Sequence, residues 1–276
     1  MKTKKNVRFR PVMILIYLLL AVFSFFCVFP FLWIVIGSTN SAVDIIGGKM
    51  TFGPLLMENL RGLFTKYNML QALLNSLKIT VISVLLTLAV TSMAAYGFQM
   101  YQSRARERIY AFFLGTMMIP FASLMVPLFQ IIVKMKLINT HFAIIIVSVS
   151  SVFMIFFFRQ SFVTYPVDVI QAARIDGATE WQIFTRVFVP SMKSTYAAAG
   201  IYAFMTSWNA YLWPLIVVQT NEKKTVTLLI SSMSSSYTPE YGLIMAAIAL
   251  ATLPVIVLFF ALQKQFVQGM LGSVKG

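Results

Sequence analysis

Long runs without charge constrain this chain more than any other feature. Six apolar segments, 12–36, 72–98, 109–133, 142–158, 196–218 and 242–262, lie between clusters of charged residues, each 17 to 27 residues long. At about 1.5 Å rise per residue, a helix of that length crosses a hydrocarbon layer about 30 Å thick. No water satisfies the backbone inside that layer, so helices, which pair their own amides and carbonyls, are the expected form. Composition agrees, since 59% of the 276 residues are hydrophobic and 11% charged, with 25 Phe and 17 Met, outside the usage of a soluble domain. The reading is an all-α membrane protein of six transmembrane helices forming a single domain, 1–276.

The first run follows the basic stretch MKTKKNVRFRP and could pass for a cleaved signal. Its 25 residues exceed a signal core and no A-x-A-like site follows, so it is read as a span. Counting Lys and Arg with both termini cytoplasmic puts fourteen on the inner pieces and seven on the outer loops, with Lys78 at a span end. This bias sets the orientation, although the short outer KMK turn, Lys134 to Lys136, opposes it.

The net charge of +14 comes from residues that flank spans, where they meet anionic lipid headgroups. No interleaved aromatic and basic patch suits nucleic acid. Cys27 has no second cysteine and His141 no second histidine, so no disulfide or metal site is expected. His141 is read as a cap or a headgroup contact at a helix start.

All eight acids, Asp44, Glu58, Glu107, Asp168, Asp176, Glu180, Glu222 and Glu240, fall in loops or at span ends. A self-sufficient ion-driven transporter is disfavoured, because its driving proton or cation needs ionisable groups within the bilayer. No phosphate-binding loop, H-E-x-x-H or G-x-S-x-G occurs, so the chain does not hydrolyse ATP and no catalytic residue is assigned. Pro120, Pro127, Pro214 and Pro254, with Asn75, Asn209 and Gln219, fall in or beside spans. Kinks and polar groups of this kind fit a pathway between helices, or ordinary interhelical packing.

One segment departs from the hydrocarbon pattern. QAARIDGATEWQIFTRVFVP, 171–190, carries charges of both signs between two apolar runs. Pro166 suits a first helical position, and Val167, Ile170, Ala173 and Arg174 follow at helical spacing. Asp176 and Gly177 end that helix, glycine being suited to a left-handed terminus. Thr179 and Gln182 then form a capping box for a second helix with a stripe of Trp181, Phe184 and Phe188. Helices of about ten residues are marginal without tertiary contacts. The stripe is expected to pack on the protein's own span ends, leaving the first helix, with Ala172 and Ala173, for a partner.

The order Gln171, Ala172, Ala173, three residues, Gly177, nine residues, Val187, one residue, Val189, Pro190 resembles the EAA coupling loop of membrane subunits of ABC importers. The wording ARIDGAT, with Arg174, Asp176 and Ala178, is similar to the carbohydrate-uptake branch. Further likenesses are ENLRGLF at 58–64, LLNSLKIT at 73–80, WNAYLWPL at 208–215, and the tail FVQGMLGSVKG at 266–276. The tail resembles that of maltose-type permeases of the second, shorter kind. Two positions depart: Gln171 replaces the acid that names the motif, so its salt bridge in relatives is lost, and Ser194 replaces a second proline.

The resemblance implies the type I ABC importer permease fold, a multi-pass protein of the bacterial plasma (inner) membrane, and a substrate that is a sugar or oligosaccharide, or alternatively another polar solute such as a polyol phosphate. It implies a loop, 165–194, in a groove of a cytoplasmic ATPase. The partners implied are a second homologous permease completing a heterodimer, two ATPase subunits and an extracytoplasmic sugar-binding protein. ATP and Mg would be bound by the ATPase, not by this chain. The outer loops 37–71 and 219–241 are candidates for the binding-protein surface, or simple linkers. Trp208, Asn209, Tyr211 and Trp213 are candidates for the substrate pathway, since aromatic faces suit sugar C–H surfaces and Asn209 and Tyr211 suit hydroxyls. The aromatic members also fit an interface belt. The tail is either a disordered end or, by the resemblance, reaches between ATPase subunits.

Overall fold

The computed structural model describes residues 11–272, with side chains over 13–263. Helices follow one another along the chain: α1 Pro11–Gly37, α2 Ala42–Ile46, α3 Leu56–Lys66, α4 Met69–Met100, α5 Arg104–Thr116, α6 Phe121–Lys134, α7 His141–Val149 and α8 Val152–Phe162. The second half holds α9 Val167–Ile175, α10 Glu180–Gln182, a π turn Ile183–Phe188, α11 Val189–Ser191, α12 Lys193–Trp208, α13 Leu212–Val217, α14 Val226–Ser234 and α15 Tyr241–Gly272. The basic N-terminal residues 1–10 and the tail residues 273–276 lie outside the described residues, as do the tail's side chains from 264.

Two compact units form, Met1–Tyr67 with Met233–Leu250, and Asn68–Ser232 with Ala251–Gly276. In the first, every side chain from 13 to 28 is exposed on α1. A helix apolar on all sides gains nothing from water, so lipid is its solvent. The end of α1 is closed by a buried polar knot. Ser38 Oγ donates to the Val35 carbonyl at 2.7 Å, Thr39 Oγ1 to that of Ile36 at 2.6 Å, and Asn40 Nδ2 to Ile36 and Thr51 at 2.9 and 2.8 Å. Such bonds meet carbonyls that a helix terminus leaves unpaired. Asn59 of α3 joins the knot, donating to the carbonyls of Ser38 and Asn40 at 2.9 and 3.1 Å. Gly242 lies so close that a β-carbon there would stand 2.6 Å from the Asn40 carbonyl oxygen.

The second unit is built around α4. Its buried face carries Ser76, Thr80, Ser83, Thr87, Thr91 and Ser92, while Leu74, Leu77, Leu85 and Val90 face outward. Lipid is as apolar as leucine, so burying leucine drives nothing, and small residues that let helices approach are kept for the interior. Helices α7, α8 and α12 pack on this face. At the end of α8, Arg159 is largely buried, pairs with Glu107 of α5 at 2.5 Å and stacks on Tyr110 at 4.0 Å.

Expected spans and observed helices differ in continuity. Among the described residues, four stretches, Met13–Gly37, Met69–Met100, His141–Phe162 and Tyr241–Gln263, are long and apolar enough to cross a membrane, and α5 with α6 makes a fifth if counted as one bent span. That pair bends by 104° across Met117 to Pro120, because Pro120 supplies no amide to continue α5. The expected fifth span, 196–218, is divided into α12 and α13 at Asn209 to Tyr211.

Replacing Asn59 with Leu removes both donors from buried carbonyls, so the detergent-solubilised protein is expected to lose about 1–3 kcal/mol per orphaned acceptor, read as a lower melting temperature. Lys66→Gln, in an exposed pair with Glu240, should shift it far less.

Candidate functional site

Local signals in 165–194 build an elbow. Pro166 is extended, at φ −65° and ψ 112°, and so precedes α9 instead of opening it. Gly177 takes φ +79°, and the Gly177 and Ala178 amides bond back to the carbonyls of Arg174 and Ala173, each at 3.1 Å, closing α9. Thr179 and Gln182 exchange capping bonds, with Gln182 Oε1 accepting from the Thr179 amide at 2.8 Å and Thr179 Oγ1 from the Gln182 amide at 3.3 Å.

Pro190 then alters the next turn. Its ring would collide with the carbonyl four residues back, that of Arg186. The chain widens into the π turn Ile183–Phe188, closed by the Val189 amide on the Phe184 carbonyl. Phe184 and Phe188 therefore point inward together, rings 6.2 Å apart. Phe188 is fully buried, against Phe162 at 4.6 Å, Tyr165 at 4.7 Å and Tyr96 at 4.9 Å. Ile170 anchors α9 in the same cluster. The expectation that Trp181 shares this packing is corrected: the widened turn leaves it outside, 64% exposed, with the Phe184 ring at 6.1 Å. Ile175 stands 87% exposed at the other side of the bend.

A polar clasp spans the bend. Arg174 Nε donates to Glu180 Oε1 at 2.7 Å, and the guanidinium lies 5.8 Å from the ring centre of Tyr101, the residue after α4. Arg174, then the Tyr101 hydroxyl, hold the Glu180 carboxyl below the usual carboxylate range, and Glu180 in turn raises Arg174. Both groups are well exposed, so the clasp sets geometry more than it adds stability.

A second feature lies where two helices are interrupted. Ser150 and Ser151 separate α7 from α8, and Asn209 to Tyr211 separate α12 from α13. Between the breaks opens a cavity of about 600 Å³, within the usual range of ligand sites, roughly 300–1,000 Å³. Interrupted backbone survives in hydrocarbon only where it lines such a space or is paired by protein. Here Ser151 Oγ accepts from the Met154 amide at 3.3 Å, Thr87 Oγ1 donates to the Ser148 carbonyl at 3.2 Å, and Asn209 Nδ2 donates to the Met205 carbonyl at 3.0 Å. The wall is polar through Ser148, Ser150, Ser151, Thr206, Ser207, Asn209 and Tyr211, apolar through Phe121, Ile144, Val147, Leu212 and Trp213, and has no charged side chain. Among the described residues, no group of three His, Cys, Asp or Glu could hold a metal ion.

The family of binding-protein-dependent transport system inner membrane components matches residues 88–272. The chain belongs to this family. It is a multi-pass permease of the inner membrane, a transport subunit and not an enzyme. The permease is 50% identical to the lactose transport system permease protein LacG of Rhizobium radiobacter, over 94% of this chain and 95% of that one. It is 34% identical to the arabinooligosaccharides transport system permease protein AraQ of Bacillus subtilis, over 92% of each. Its fold is that of a bacterial ABC transporter involved in import of the acidic polysaccharide alginate, with a TM-score of 0.82 at 22% identity, covering 96% of this chain and 100% of that one.

Within the permease, Gln171, Ala172, Arg174, Asp176 and Gly177 are exposed along α9 and the bend, Ala173 and Ala178 are half-buried against the aromatic cluster, and Pro190 is exposed at the π turn. Asn209, Tyr211 and Trp213 come together in the cavity wall. Trp208 does not: it is buried, stacked on Phe204 at 5.5 Å, with its indole N–H donated to the Ala251 carbonyl at 3.1 Å. Successive helical residues point about 100° apart, so Trp208 and Asn209 face different surroundings. The Trp213 N–H is likewise taken by the Ala143 carbonyl at 2.9 Å, leaving its ring as wall. Residues that the sequence reading passed over are the serines at 148, 150 and 151, Thr206, Ser207 and Tyr101. The serine cluster inside an apolar run was a usable signal, whereas nothing local marks Tyr101.

Truncating Phe188 to Ala should cost about 3–5 kcal/mol by opening a cavity in the aromatic cluster, seen as a depressed melting temperature. Trp181→Ala, on the exposed side, should leave the melting temperature close to that of the parent.

Proposed function

We propose that this chain forms half of the translocation pathway for a sugar or oligosaccharide in an ATP-driven importer, and that residues 165–194 dock on a separate cytoplasmic ATPase. The observation that carries the docking reading is the division of the elbow: Ile170, Ile183, Phe184 and Phe188 are sunk into the permease while Ile175 and Trp181 stand out of it. Exposed large apolar groups on a clasped, preorganised bend suit a partner groove. ATP-driven closure of two ATPase subunits would draw the elbow inward and rock the helices between outward-facing and inward-facing states. ATP and Mg belong to those subunits.

In this reading the chain has six spans with both termini cytoplasmic, pairs with a second, different permease, and receives solute from an extracytoplasmic sugar-binding protein at loops 37–71 and 219–241. The cavity between the helix breaks is the pathway segment contributed by this chain. Phe121, Tyr211 and Trp213 offer ring faces, while Asn209 Oδ1 and the serines offer hydrogen bonds. The uncharged wall supports a neutral polyhydroxylated solute over a polyol phosphate, which would call for Arg or Lys. A relative named for lactose transport at 50% identity, against one named for sn-glycerol-3-phosphate at 26%, supports the same choice.

Ile175→Glu places a charge on the docking face without touching the buried cluster. The expected outcome is loss of ATPase copurification at an unchanged melting temperature; retained copurification and ATP-driven uptake would remove the elbow from the interface. Asn209→Ala is expected to lower uptake into proteoliposomes roughly tenfold, as for loss of about 1–1.5 kcal/mol of hydrogen bonding, while ATPase copurification persists.

A further inference from the structure

The elbow and the cavity are separate features, and the geometry between them runs through one helix. Among the described residues, α4 is the long apolar span with neither proline nor break, whereas α1 and α15 contain Pro30 and Pro254 and the 141–162 stretch is interrupted at Ser150 and Ser151. A helix with its hydrogen-bond ladder intact bends gently at most. It therefore transmits displacement along its length better than its neighbours.

Both ends of the connection are defined by contacts. At the elbow, Tyr96 packs its ring on Phe184 at 5.2 Å and Phe188 at 4.9 Å. One turn later, Tyr101 receives the Arg174 guanidinium over its ring at 5.8 Å, and Arg174 is clasped to Glu180 across the bend. Tyr101 is also held from α5, where Arg106 stacks on it at 5.4 Å and donates to its carbonyl. The Tyr96 and Tyr101 rings meet edge to face at 6.4 Å. Tyr101 is thus the half-buried point at which both arms of the elbow's clasp meet the end of α4.

At the cavity, α4 touches each helix break through a hydroxyl. Thr87 Oγ1 donates to the Ser148 carbonyl beside the α7 to α8 break. Ser207 Oγ, just before the α12 to α13 break, donates to Thr80 Oγ1 at 3.4 Å. Ser148 and Ser207 both line the cavity. The fourteen steps from Thr87 to Tyr101 span about 21 Å along the axis at about 1.5 Å per step. A rigid element of that length with discrete contacts at both ends is a physical basis for coupling two sites.

We propose that Tyr101 is a positioning residue through which the elbow displaces α4, and that Thr80 and Thr87 deliver the displacement to the two helix breaks around the cavity. The proposal rests on the reading that the elbow docks an ATPase. It assigns to Tyr101 no contact with solute or nucleotide. Tyr101 meets the clasp through its ring, which faces Arg174 and Arg106, and through its hydroxyl at Glu180; the proposal places the coupling on the ring, so a phenyl ring should substitute for the phenol.

The test uses the assembled transporter, purified with its ATPase, in a Cys27→Ser background carrying Ser150→Cys as a reporter at the cavity. The measurement is the rate of maleimide labelling with and without ATP and vanadate. With Tyr101 intact, nucleotide trapping is expected to change the rate. Tyr101→Ala is expected to abolish that change while the ATPase still copurifies, and Tyr101→Phe to restore it. Thr87→Val, which leaves the elbow intact, should diminish the change as well, covering the case in which Tyr101→Ala fails to fold. Should Tyr101→Ala, or Thr87→Val where the former does not fold, keep the full nucleotide-dependent change, the proposal is overturned. If the complex with Tyr101 intact neither copurifies with an ATPase nor shows any change, the docking reading itself fails, a result separable from failure of Tyr101 alone. A merely structural role would lower the melting temperature of Tyr101→Ala and Tyr101→Phe in step with labelling; the proposal requires Tyr101→Phe to recover labelling whatever its melting temperature.

Discussion

Everything in this permease depends on one constraint: in hydrocarbon, each backbone amide and carbonyl must find its partner within the protein. Continuous helices meet it without help, and α4 is an example. At several of the places where the chain departs from a continuous helix, a polar side chain bonds to the backbone. Ser151 caps α8, Thr87 reaches the Ser148 carbonyl, and Asn209 folds back on Met205. The end of α1 is treated likewise, by Ser38, Thr39, Asn40 and Asn59. Interruption within hydrocarbon is costly, and here two interruptions lie side by side around one cavity.

The same constraint turns the interior inside out. In water, leucine is buried and serine exposed; on α4 the serines and threonines are buried while Leu74, Leu77 and Leu85 face outward. Small hydroxyl side chains let α7, α8 and α12 approach closely and can bond to their own helix, as Thr91 does to the Thr87 carbonyl at 2.6 Å. In the elbow the ordinary rule returns. The elbow is held by a cluster of phenylalanines and tyrosines around Phe188, and its exposed polar clasp adds direction more than energy.

The elbow was the most legible part of the sequence because its signals are local. Gly177 and the Thr179 to Gln182 box each fix one or two torsions or bonds, and the structure carries both. The π turn was not legible, since it arises from Pro190 acting on a carbonyl four residues earlier within a helix already anchored by Phe188. That one change of register moved Trp181 from the expected packed stripe to the surface. The cavity was legible in part: Asn209, Tyr211 and Trp213 were singled out by residue type, but their separation from Trp208 depends on where α12 stops.

By itself the sequence determined that this is an α-helical membrane protein and where its elbow bends, and the spacing within 171–190 resembles that of an importer's coupling loop. These follow from run length, charge placement and short-range spacing, which act over a few residues and do not depend on packing. Tertiary structure alone decided which apolar runs stay whole, which hydroxyls close their breaks, that Tyr101 meets Arg174, and that the two interruptions face one cavity. Those outcomes require residues far apart in the chain, such as Thr87 with Ser148 and Tyr101 with Arg174, to come within a few ångströms, and spacing along one helix carries no information about its neighbour.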